Sequence, residues 1–194
     1  MPKYKCTPEE FAELMFDEII YTEKQHPNLM KIIQEHCGEY TSAEKAVIES
    51  LQTDHIRQES FYFWSFLTTY CIHKELYDIE DKLTKRIHDT LRTLIYQDIA
   101  EGEAPPHAQN TFKQRLTQYS DALKTDVECL GHKDTILFLN LTTSFFENLL
   151  ERKLTFAEFG MPRSLFGLYI AELMLSLQNI IQKLKADITI VGEG

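Results

Sequence analysis

The sequence predicts an all-α fold, a single bundle of about six to seven helices with long central helices, and three observations carry that prediction. Glycine (7) and proline (6) are scarce among 194 residues, and nearly all of them fall between stretches of helical period, where they punctuate. Two capping boxes open apolar-periodic runs. Almost everywhere else the apolar residues recur at spacings of three and four. With 43% hydrophobic residues the chain can fill a core of its own. Residues 1–187 are expected to form the bundle domain, with a possible sub-division at a 101–107 loop, and 188–194 a short tail.

Taken in order, Thr7-Pro8-Glu9-Glu10 supplies an N-cap, a proline at the first helical position and a capping-box glutamate. Phe11, Leu14, Met15 and Ile19 then mark a helix that should stop at His26, before Pro27. A short helix over 28–37 ends at Gly38. Thr41-Ser42-Ala43-Glu44 opens a longer helix, predicted to run to about Lys74. An amphipathic helix follows, with Ile79, Leu83, Ile87, Leu91 and Leu94 on one face, up to Gly102. Residues 101–107, EGEAPPH, form the clearest loop. Phe112, Leu116, Tyr119, Leu123, Val127 and Leu130 mark the next helix, closed by Gly131, and 134–153 is a strongly apolar helix after it. The turn TFAEFGMP leads to a final helix from Arg163 to about Lys185, and the tail ITIVGEG alternates like a strand without a visible partner.

Charge excludes one class of partner. The formal net charge is −10, from 30 acidic against 20 basic residues, which removes the basic surface that phosphate neutralisation needs, so no nucleic acid is expected. MPKYKCTPEEF has no apolar run after its lysines, and Leu165 to Ile181 contains Glu172, Gln178 and Asn179. A cytoplasmic protein with no membrane span is the expectation. Cys6, Cys37, Cys71 and Cys129 fall in no C-x-x-C pair, so they are expected to be free thiols, with Cys71 buried.

The candidate chemistry centres on TDHIRQESFYFWSFLTTYCIH, residues 53–73. His55 and Glu59 are four apart and share a helix face, ahead of four consecutive aromatics. Ile48, Leu51, His55, Glu59, Tyr62, Phe66, Tyr70 and His73 make one stripe, and after Ser60 apolar groups surround the helix, as in one entering a bundle. His55 and His73 lie about 27 Å apart along one helix and cannot share a metal; any site would need His26, His36, His88 or His132 brought in from another helix. Glu23-Lys24-Gln25-His26 is the single Glu-x-x-His, where a ferritin-like di-metal site needs two. Glu147 and Glu172 are carboxylates within apolar segments, Glu172 on the exposed side. Leu67-Thr68-Thr69 and Leu141-Thr142-Thr143 need only be hydroxyls bonded one turn back.

These features suggest a non-enzymatic helical regulatory, sensory or protein-interaction module without a cofactor. The alternative is a bundle that binds a metal or small apolar ligand at a pocket of His55, Glu59, Tyr62 and Phe66, with Glu23 and His26 as further metal candidates. In the helix over 163–185, Phe166, Ile170, Leu173, Leu177, Ile180 and Leu184 form an a/d seam of about three heptads. It either packs along the chain's own bundle or pairs with a protein partner, a second copy first of all.

Overall fold

A computed structural model of the chain describes residues 4–24, 40–51, 53–102, 105–128 and 138–192, with backbone alone at 22–24, 53–55, 57, 100–102, 105–108, 156 and 161. These residues form β1 (Tyr4–Cys6), α1 (Pro8–Lys24), α2 (Ser42–Glu49), α3 (Thr53–Glu75), α4 (Asp81–Gly102), α5 (Pro105–Glu128), α6 (Leu139–Leu150), α7 (Phe156–Asp187) and β2 (Ile188–Ile190). The fold is all-α, with one small two-stranded sheet.

Both capping boxes form as their sequences require. The Glu10 amide donates to Thr7 Oγ1 at 3.1 Å while the Thr7 amide donates to Glu10 Oε2 at 2.7 Å. Thr41 and Glu44 repeat the exchange at the start of α2. The predicted helix from 42 to about 74 is two helices, however. Ser50 ends the first one: its hydroxyl donates to the Val47 carbonyl at 2.7 Å, and its amide reaches back to Ala46 and Val47. A short hydroxyl side chain that bonds the backbone locally competes with helix propagation.

Three further boundaries are corrected. The 101–107 loop is shorter than expected, because α4 includes Glu101 and Gly102 and α5 starts at Pro105. Prolines lack an amide hydrogen and suit a first helical turn, where that hydrogen has no partner anyway. The last helix begins at Phe156, not Arg163, and is broken at Phe159 (φ −148°, ψ 25°), three residues before Pro162. The tail has its partner strand after all: β2 pairs in parallel with β1, Tyr4 opposite Ile188 and Cys6 opposite Ile190. The predicted helix over 28–37, its glycine stop, Leu130, Gly131 and the 134–137 start lie outside the described residues.

The chain divides into two compact units, and the divisions fall inside α1, α3, α5 and α7. Unit 1 comprises Met1–Thr22, Trp64–Lys113 and Met174–Gly194. Its core takes Phe11, Met15 and Ile19 from α1, Trp64, Leu67 and Ile72 from α3, and Ile87, Leu91, Ile95 and Ile99 from α4. The α4 stripe thus passes through Ile95, where the sequence pointed to Leu94. Cys71 is fully buried as expected, its thiol pushed up to about 12 by burial. Polar ties brace the surface of this unit. Arg86 grips Glu9 through two bonds of 2.9 and 2.8 Å, and Lys185 Nζ donates to the Glu75 carbonyl and Asp78.

Unit 2 comprises Glu23–Phe63 and Gln114–Leu173. Its core is aromatic. Phe63 packs edge-on to Tyr119 at 5.1 Å and against Phe145 at 4.8 Å; Phe145 stacks on Phe166, and Phe146 lies 4.2 Å from Phe159. Thr142 and Thr143 donate one turn back to Phe138 and Leu139, as expected of hydroxyls in an apolar helix. Asp126 is buried where Val127 was expected, and Val127 is exposed. The reason is α6, whose N-cap residue Phe138 has no capping side chain. Asp126 supplies the cap from α5, accepting from the Asn140 and Leu141 amides at 2.9 Å.

Along α7 the buried stripe is Phe166, Ile170, Met174, Leu177 and Ile181. Three members of the a/d seam are therefore core residues of this chain, while Leu173, Ile180 and Leu184 are half-buried. By length and composition Ala157–Asp187 is long and apolar enough to cross a membrane, where the sequence reading judged this region too short and too polar. A core helix of a folded domain meets the same criterion.

Candidate functional site

The strongest polar cluster of unit 2 is built from three helices. On α5, Arg115 and Tyr119 are four apart and share a face, with Asp126 further along the same side. On α3, residues 59–68 are all buried, so Glu59 enters the core with its flanking aromatics. On α6, Asn148 comes from the last turn.

Both oxygens of Glu59 are engaged. Arg115 Nε donates to Oε2 at 2.9 Å, and the Tyr119 hydroxyl donates to Oε1. Arg115 Nη1 donates onward to Asn148 Oδ1 at 2.9 Å and Gln118 Oε1 at 3.2 Å. Burial raises the Glu59 pKa, and Arg115 and Tyr119 only partly oppose it. Tyr119, fully buried against that carboxylate, is held well above the ordinary tyrosine value, first by burial and then by Glu59. Such a cluster is a clamp: both carboxylate oxygens already accept hydrogen bonds from the protein's own side chains.

Beside this clamp lies an open groove of about 790 Å³, walled by α5 and α6 and closed at one end by residues 151–153. Gln118, Asn140, Thr143 and Ser144 give it hydrogen-bonding groups. Its three cations are all ion-paired: Arg115 with Glu59, Arg152 with Glu158 at 2.8 Å, and Lys153 with Glu147 at 2.6 Å. Glu158, which also accepts from Thr155, is held down to about 2. Asp121 and Glu151 also line the groove and have no ion-pair partner among the described residues. Glu151 ends α6 in the left-handed conformation (φ 53°), usually a glycine's position.

Unit 1 holds a second cluster of a different kind. His73, exposed in the last turn of α3, faces His88 of α4 with ring centroids 6.1 Å apart. His88 Nε2 is buried without a hydrogen-bond partner, and so is Thr84 Oγ1, one turn earlier on the same face of α4. Burial, then the neighbouring His73, lowers the His88 pKa, so its ring is neutral at pH 7.

The sequence-predicted residues are placed as follows. Glu59 is buried and clamped, Tyr62 is buried with its hydroxyl accepting from Gln58 at 3.0 Å, and Phe66 is a buried unit 1 residue stacked on Tyr70. The side chains of His55 and Glu23, and the whole of His26, lie outside the described residues. Among the described residues no group of three or more His, Cys, Asp or Glu is placed to hold a metal ion. Glu147 is a helix-end brace, accepting from Lys153 and the Leu154 amide, and Glu172 is exposed as expected.

Sequence reasoning missed Arg115, Asn148, Asp126 and the approach of His88 to His73. A signal existed for the first of these. Arg115, Tyr119 and Asp126 form a polar stripe on the core side of α5, and a charge in line with core residues calls for a buried partner. No protein-family model, no curated protein and no solved structure matches the chain.

Proposed function

We propose that the protein is a non-enzymatic helical interaction module whose working surface is the α5–α6 groove of unit 2, fitted to a polar partner segment that carries Lys or Arg. One observation carries this reading: every cation on the groove wall is matched by an acid of the same unit, while Asp121 and Glu151 are left over. The unbalanced charge of the groove is negative, and the amides and hydroxyls beside it supply donors and acceptors for a peptide backbone. The net charge of −10 adds long-range attraction for a basic partner. Glu59 supports binding over catalysis, since removing its proton acceptors from Arg115 and Tyr119 would dismantle the clamp.

The test is fluorescence anisotropy with a labelled Ser/Arg/Lys peptide and its Ser/Glu counterpart. Saturable binding of the basic peptide is expected, weakened about tenfold by Asp121→Asn with Glu151→Gln, which is about 1.4 kcal/mol. Glu172→Gln, an exposed acid outside the groove, should change nothing. Equal loss in both variants means general charge attraction and removes the reading. Self-association through the a/d seam would have to use Leu173, Ile180 and Leu184, since Phe166, Ile170 and Leu177 are core residues. A concentration-independent monomer in light scattering removes a homodimer from this proposal.

A further inference from the structure

Buried polar atoms are almost always hydrogen-bonded, and an orphan calls for an explanation such as a bound water or ion. Unit 1 has two of them one turn apart on α4, His88 Nε2 and Thr84 Oγ1, beside an exposed imidazole from α3. We infer that His73 and His88 together bind a late first-row divalent metal ion, with water completing its shell and Thr84 Oγ1 holding one of those waters.

The geometry supports the pair as ligands. A metal–nitrogen bond of about 2.0–2.1 Å places each ring centre about 3.2 Å from the ion, so two rings sharing it lie about 5.2 Å apart at a tetrahedral angle and about 6.4 Å when opposed. The observed 6.1 Å is inside that range. His73 is exposed, so a narrower angle is reached by turning its side chain about χ1 and χ2 rather than by backbone movement. Two imidazole nitrogens select Zn²⁺, Ni²⁺ or Cu²⁺ and reject Mg²⁺ and Ca²⁺, which prefer oxygen. The absence of a third protein ligand among the described residues sets the affinity low and leaves open coordination positions. The site belongs to unit 1 and does not depend on the groove of unit 2.

The experiment titrates ZnCl₂ and NiCl₂ into the full chain by calorimetry, and follows histidine ring signals by long-range ¹H–¹⁵N NMR. Saturable binding is expected, with the His73 and His88 rings shifted by zinc and broadened first by nickel. His73→Gln and His88→Gln should each weaken that binding at least tenfold, and MgCl₂ should have no effect. Because His73 is exposed, His73→Gln tests the proposal even if His88→Gln does not fold. Metal binding unchanged in His73→Gln, or rings unmoved at one equivalent of zinc, overturns it and leaves a water as the bridge between the orphan atoms.

Discussion

The two polar clusters, Glu59–Arg115–Tyr119 in unit 2 and His73–His88–Thr84 in unit 1, differ in how completely the protein bonds to itself. In the first, a buried carboxylate has both oxygens taken and its arginine is further braced by Asn148 and Gln118, with Asn148 Nδ2 the one buried side-chain atom of the cluster left without a partner among the described residues. In the second, two buried polar atoms are left without partners. Closure makes a cluster a fastening, since any ligand must displace bonds already made. Incompleteness leaves bonding capacity for something outside the chain.

Breaking the closed cluster should have the largest effect. Arg115→Ala leaves Glu59 buried without its cation, and side-chain exposures of 15% and 7% mean little water reaches the pair. About 3 kcal/mol should be lost in urea unfolding. If the loss is under about 0.5 kcal/mol, Arg115 is a surface residue in practice and the clamp does not exist. Tyr119→Phe removes one hydrogen bond to a charged acceptor and should cost about 2 kcal/mol by the same measurement. Asp126→Ala, which uncaps α6, should cost about 1 kcal/mol.

The pH dependence sharpens the same point. The folded-state pKa of Glu59 is raised by burial, so the folded protein holds that proton more tightly than the unfolded chain does. Its contribution to stability is therefore complete below the ordinary glutamate value of 4.5 and is lost as pH rises through the raised folded value. The stability difference between wild type and Glu59→Gln should fall as pH rises from about 4 to about 7. A difference that grows with pH would show that Arg115 outweighs burial.

The smallest effect belongs to the open cluster, and it has the opposite sign. Thr84→Val replaces an orphan hydroxyl with a methyl group of similar shape, so metal-free protein should gain up to about 1 kcal/mol. A loss would mean that Thr84 already has a partner, and the two clusters would then be alike.

Helices were legible because their signals are local. Thr7 to Glu10 and Thr41 to Glu44 cap as their spacing requires, and Phe11, Met15 and Ile19 bury the face that their period marks. The break at Ser50, the start at Pro105 and the kink at Phe159 were missed or misplaced, because a turn or two of backbone is decided by small energies. Glu59 stood out in the sequence as a polar residue at the edge of the core, and the structure buries it. Its partners did not, since Arg115 is far along the chain and any of several cations could have served.

By itself the sequence determined the helical class, the acidic balance, the two capping boxes and the burial of the aromatic run after Ser60, all consequences of composition and short-range periodicity. Only the tertiary structure decided that Tyr4–Cys6 pairs with Ile188–Ile190, that Asp126 caps another helix, that Glu59 is closed by Arg115 and Tyr119, and that His88 meets His73. The physical reason is range. Period and caps are fixed by bonds a few residues apart, whereas the partner of a buried charge is chosen by the packing of whole helices.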